Sequence, residues 1–192
     1  MTDQQSDIPA INPREAALTM YYTLEELAVI ANYFGLDTLP GVREVELSEA
    51  TRSLATRTLL ARNILNVQGE KVSINSPHAQ FFVTMADNPG VTQVDMTTTN
   101  GPWRTTLFAL EDGSVLVEEP DQGVVVVALY QGTCDDVVKD LMGLAAPNGA
   151  AQRPDLSAVD VTVFHRSGES VEVTHVRYEP ADGAWAQVNA PG

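Results

Sequence analysis

VTQVDMTT at 91–98, WRTTLFAL at 103–110 and SVLVE at 114–118 are runs in which the hydrophobic period is two, and VVVVALY at 124–130 follows them. Successive side chains of a strand point to opposite faces, so this alternation is the mark of a half-buried strand; a helix would repeat every 3.6 residues. Turn signals separate the runs: Glu111-Asp112-Gly113 is a tight-hairpin sequence, and Pro120-Asp121-Gln122-Gly123 a second turn. The run at 124–130 is apolar on both parities, which predicts a strand covered on both faces. Thr133 follows as a helix N-cap, with Val137, Val138, Leu141 and Leu144 at helical spacing over 134–144. Consecutive antiparallel strands closed by a helix define an α+β class, an antiparallel β-meander sheet packed against helices on one face.

Upstream the period is helical. Thr23 and Glu26 are spaced as a capping box, Leu24, Leu27, Ile30, Ala31 and Phe34 recur on one side, and Gly35 ends the helix predicted over 24–34. Leu39-Pro40-Gly41 is a turn, and Ser48 caps a second helix over 49–65. Its stripe runs Leu47, Leu54, Leu59 and Leu65, with Ala50, Ala55 and Ala61 between. A short strand over 70–74 carries Val72 and Ile74; Ser76 and Pro77 then open a helix bearing Phe81, Phe82 and Met85, which stops at Asn88-Pro89-Gly90. Residues 1–20 show no period and are read as a flexible tail.

Downstream, 145–157 hold two Pro, one Gly, one Asn and four Ala, a linker composition. Residues 159–166 and 170–178 alternate around a turn at 167–169, and a final short strand surrounds 185–188. So short a segment carries no core of its own. The C-terminal β-hairpin is therefore expected to extend the sheet, cover it, or pair with another chain. The domain reading is a tail at 1–20, one α+β domain at 21–146, and a linker and hairpin at 147–192 that belong to the same domain.

With 26 acidic against 11 basic residues the net charge is −15. Such a surface repels phosphate backbones and anionic lipid and steers toward a basic or mixed protein partner, so neither nucleic acid nor membrane is expected as a partner. A bilayer-spanning run of about 18 apolar residues is absent. The polar start of the chain lacks the pattern of a secretory signal, which makes a cytoplasmic location the expectation. The single cysteine, Cys134, forms no internal disulfide, and Asp135 and Asp136 beside it disfavour a reactive thiolate.

Catalytic patterns are missing. The histidines are His78, His165 and His175, and a turn at 167–169 sets His165 opposite 171 or 172, away from His175. None has a Cys or carboxylate at ligand spacing, so no metal is expected. HExxH, GxSxG and glycine phosphate loops do not occur, and no cofactor is implied. The acidic pairs Glu25/Glu26 and Asp135/Asp136 diverge by about 100° on a helix and lie in first turns, where they complement the dipole. Two other readings follow from the residues. Residues 24–74 resemble a winged helix, a regulator that reads DNA, yet Arg52, Arg57 and Arg62 stand five apart and share no single face. An enzyme with an unfamiliar site would need a deep polar pocket lined by perturbed titrating groups.

LEELAVIANYFGL at 24–36, Leu39-Pro40, an Arg- and Ala-rich helix ending in ARNIL at 61–65, the Val72 strand, the helix ending at Asn88-Pro89 and the meander into 137–144 follow one another in an order that resembles the EspG family. The resemblance covers residues 22–146. It implies a non-enzymatic chaperone of actinobacterial type VII secretion, cytosolic, binding the tips of helical secretion substrates and keeping them soluble. The family members compared are longer, with two related halves, and their C-terminal helical bundle has no counterpart after Leu144. A single half would leave a sheet edge uncovered, so 159–188 is expected either to cap its own sheet or to complete a symmetric homodimer. For a partner surface the turn at 99–103 stands out, because Trp and Arg are enriched in binding hot spots. Trp103, Arg104 and Asn100 are the candidate partner-binding residues, with a core position as the other reading of Trp103.

Overall fold

The meander forms as its alternation dictates. The computed structural model describes residues 16–69, 71–76, 78–111, 113–121, 123–143, 155–167, 170–181 and 184–188. Its elements run β1 (Ala16–Thr23), α1 (Leu24–Tyr33), α2 (Glu49–Ala61), β2 (Leu65–Gln68), β3 (Lys71–Ile74), α3 (His78–Asp87), β4 (Gly90–Thr98), β5 (Gly101–Leu110), β6 (Gly113–Asp121), β7 (Val124–Tyr130), α4 (Cys134–Leu141), β8 (Leu156–Ser167), β9 (Ser170–Ala181) and β10 (Ala184–Val188). Eight strands make one sheet in the order β1-β7-β6-β5-β4-β8-β9-β10, and β2 pairs with β3 in a small second one. Neighbours are antiparallel, and the hairpins close at Thr98↔Gly101, Leu110↔Gly113 and Asp121↔Val124. Gly113 is required where it stands, since a Cβ there would lie 2.4 Å from the Tyr130 carbonyl oxygen.

Burial follows the two parities. Val125 and Val127 of β7 join Phe108, Val115 and Val117 in a core roofed by Leu27 and Ile30 of α1, Leu59 of α2, and Phe82 and Met85 of α3. Ala128 and Tyr130, on the other parity, join Leu107, Leu116, Val94 and Met96 beneath Val137 of α4 and Met142. The doubly apolar strand is thus covered on both faces. Helices α1–α3 occupy one face as expected, while the three-residue connection 131–133 lets α4 fold onto the opposite one.

Several boundaries differ from the sequence reading. Residues 16–20 are not tail: Leu18, Met20 and Tyr22 alternate inward and β1 pairs along β7. The second helix ends at Ala61 rather than 65. Asn63 takes a left-handed φ of 57°, and the Asn63 and Ile64 N–H groups donate to the Leu60 and Leu59 carbonyls, a Schellman closure. Ile64 and Leu65 then turn into the core, and Leu65 begins β2. Of the predicted stripe Ala55 and Leu59 are buried, whereas Leu54 is 66% exposed. Leu144, most of the linker, and Pro77 lie outside the described residues. The C-terminal segment extends the sheet: β8 pairs with β4 through Met96↔Val159, and His165 faces Glu172 on β9.

Candidate functional site

On the α1–α3 side, beside the helical roof, the face of β4, β8 and β9 carries a charged row. Arg104, Asp95, Asp160 and Arg177 are successive cross-strand partners on β5, β4, β8 and β9. Like charges directly opposite destabilise a sheet, so the Asp95↔Asp160 pairing needs compensation. Each carboxylate receives it from its outer side. Arg104 Nε donates to Asp95 Oδ1, and Gln93 Nε2 to Asp95 Oδ2 at 2.6 Å. Arg177 donates to Asp160 at 3.0 Å and to Glu179 at 2.8 Å, with His175 Nε2 3.1 Å from Asp160.

Next to this row lies an open cleft of ≈650 Å³ between the turn at 39–43 and strands β4, β5 and β6. Gly41 shapes it. Its φ of 76° sets the turn, and a Cβ there would meet Thr106 at 2.6 Å, so the turn lies directly on β5. The cleft carries two ion pairs on its margins, Arg43–Glu119 at 2.6 Å and Arg104–Asp95.

The three candidate residues separate. Arg104 is exposed on the cleft face. Trp103, its neighbour on β5, borders the cleft but packs against the α4-side core, opposite Met96. Asn100 is exposed in the turn, and its N–H donates to Thr98 Oγ1 at 3.1 Å. The turn itself is a two-residue hairpin loop at 99–100, shorter than the turn at 99–103 read from the sequence. Consecutive strand residues face opposite ways, which is why Trp103 and Arg104 do not present one patch. The sequence reading missed the row Arg104–Asp95–Asp160–Arg177. Its only sequence signal is a charged residue at the outward parity, Asp95 between Val94 and Met96 and Asp160 between Val159 and Val161.

A second polar cluster gathers around a carboxylate buried under the helices. Glu26, 1% exposed, completes the Thr23 capping box and accepts Arg62 Nη1 on both oxygens at 2.9 and 2.7 Å. The Arg62 guanidinium stands 5.4 Å from the Tyr22 ring centre. The Tyr22 hydroxyl lies 2.6 Å from His78 Nδ1. Burial pushes the Tyr22 pKa well up, and burial with the Arg62 charge pushes His78 down, so both rings are held toward their neutral forms and share this hydrogen bond. None of these four residues lines the cleft, so this cluster is separate from it. They clamp β1, α1, α2 and α3 together.

The remaining candidates behave as their surroundings dictate. Burial first and Asp135 second raise the Cys134 thiol. Arg52 donates to Asn32 and Arg62 to Glu26, so the arginines around α2 stay dispersed. Among the described residues no group of three or more His, Cys, Asp or Glu could hold a metal ion, and no helix is long and apolar enough to cross a membrane.

No protein-family model matches the sequence, and no curated protein matches it. Among solved structures, that of the Mycobacterium tuberculosis type VII secretion system chaperone EspG5 in complex with a PE25–PPE41 dimer is similar, with a TM-score of 0.62 at 8% sequence identity. The likeness covers 88% of this chain and 86% of that one. It therefore reaches beyond residues 22–146 and spans most of the compared chain, where the sequence reading had allowed for one of two halves. At this identity the likeness is one of architecture: the chain has an EspG-like fold.

Proposed function

We propose that this chain is a non-enzymatic protein-binding module, a cytoplasmic chaperone of the type VII secretion kind that holds a helical secretion substrate. The observation that carries the reading is the shared fold over 88% of the chain with a chaperone whose structure contains a PE25–PPE41 dimer. The surface we assign to the partner is the cleft and its hairpin, with Arg104 on the rim and Asn100 at the tip. Arg43 and Arg104 are exposed there, and a guanidinium carries five N–H donors. Donors left over from the ion pairs suit a partner's carbonyls and carboxylates.

Co-purification from the native host, with wild type and Arg104→Glu in parallel, tests this. Wild type should retain a protein partner and the folded variant should lose it. Recovery of no protein partner with wild type, together with a bound small molecule, overturns the function. Retention by Arg104→Glu at undiminished affinity overturns the assigned surface. Trp103→Ala separates the two roles of that residue: lost stability with unchanged affinity makes it a core residue.

A further inference from the structure

β1 ends the large sheet, with β7 on one side and no described strand on the other. In an antiparallel ladder, alternate residues turn both peptide groups toward the neighbour or away from it. The Leu24 N–H donates to the Gly123 carbonyl at 3.0 Å, and Tyr22↔Val125 and Met20↔Val127 stand in phase with that pair. The peptide groups of Met20 and Tyr22 therefore face β7, while those of Thr19, Tyr21 and Thr23 face the free edge.

Two of these outward groups are already taken, and by one ion pair. Glu26 Oε2 accepts the Thr23 N–H at 3.0 Å, and Arg62 Nη2 donates to the Tyr21 carbonyl. Arg62 Nη1 grips both oxygens of Glu26, and the Tyr22 ring supports the guanidinium. Residues from α1 and from the end of α2 thus reach across the edge and fill adjacent positions that an added strand would need. The edge would otherwise be an apt template. Its inward residues are apolar, and Tyr21 is 59% exposed beside it. Unpaired edges of this kind invite a second chain, and inward-pointing charges are one way of blunting them.

We propose that the Glu26–Arg62 pair is an edge guard, which keeps β1 from pairing antiparallel with the β1 of a second copy of this chain. With Tyr21 and Thr23 engaged, the free stretch left around Thr19 is too short to hold a ladder.

The test compares wild type with Arg62→Met, which keeps an unbranched stem and removes every donor. Sedimentation velocity over a concentration series reads association, and amide exchange reads where it occurs. Arg62→Met should associate at concentrations about tenfold below any self-association of wild type, with the Thr19 and Tyr21 amides slowed by about tenfold in the associated species. A folded Arg62→Met that stays monomeric over the same series overturns the proposal. So does association that leaves Thr19 and Tyr21 exchanging as before, because the contact then lies elsewhere. If Arg62→Met fails to fold, Glu26→Gln/Arg62→Met decides by the same two readouts: glutamine still accepts the Thr23 N–H, and no charge is stranded.

Discussion

The covered and open ends of the sheet use the same chemistry under different solvation. At the covered end Arg62 meets Glu26, whose side chain is 1% exposed. At the open end Arg104 meets Asp95, and the two side chains are 64% and 34% exposed. Removing the first arginine strands a carboxylate away from water; removing the second leaves a carboxylate that water can reach. The difference teaches how to assign roles to ion pairs that look alike in the sequence. A buried pair holds elements in place, whereas a hydrated one is free to exchange partners.

Substitutions can break that contrast at each level. The largest effect is expected in the covered core, where Phe82 is fully buried. Phe82→Ala should cost about 4 kcal/mol in urea unfolding, and a loss below about 1 kcal/mol would mean the helical roof is not packed as described. Arg62→Met should cost about 3 kcal/mol, near the low end for a buried pair because its guanidinium side is partly hydrated. Adding Glu26→Gln should restore most of that loss, which a merely steric role for Arg62 would not predict.

The burial of His78 beside Arg62 makes the covered end sensitive to pH. His78 titrates below its ordinary 6.5, pushed down by burial and then by Arg62. Between its folded pKa and 6.5 the unfolded chain binds the proton more readily than the folded one. Stability therefore falls as pH drops through 6.5 and levels off below the folded value. A denaturation series from pH 7 to pH 5 should show this limb in wild type and a flatter one in His78→Gln. Equal limbs would remove His78 from the account. At the open end Arg104→Ala should change stability by less than about 1 kcal/mol. A larger loss would show that the cross-strand row holds the sheet together and is not a hydrated surface.

Features set by neighbours in the chain were legible. Thr23 and Glu26 announced a capping box that forms with both bonds, and Thr133 opened a helix in the same way. The turn signal after Leu110 was matched by a hairpin with the register Leu110↔Gly113. Long-range partners hid the rest. β1 looks like tail because its mate, β7, lies about a hundred residues on. The overrun of the second helix came from Asn63, a residue that helices tolerate but that here takes the left-handed turn glycine usually supplies. The row from Arg104 to Arg177 was invisible because a charge on the polar parity of a strand says nothing about what stands opposite until the register is known.

The amino-acid sequence by itself determined the α+β class, the four-strand meander and its turns, the cap residues and the double apolarity of β7. These depend on side-chain alternation and on hydrogen bonds spanning a few residues. Tertiary structure alone decided that α4 crosses to the opposite face, that β1 and β8–β10 flank the meander, and that Glu26 is buried while Asp95 is partly hydrated. Strand order and burial arise from pairings between distant segments, and the energy of a charge depends on how much water those pairings leave beside it.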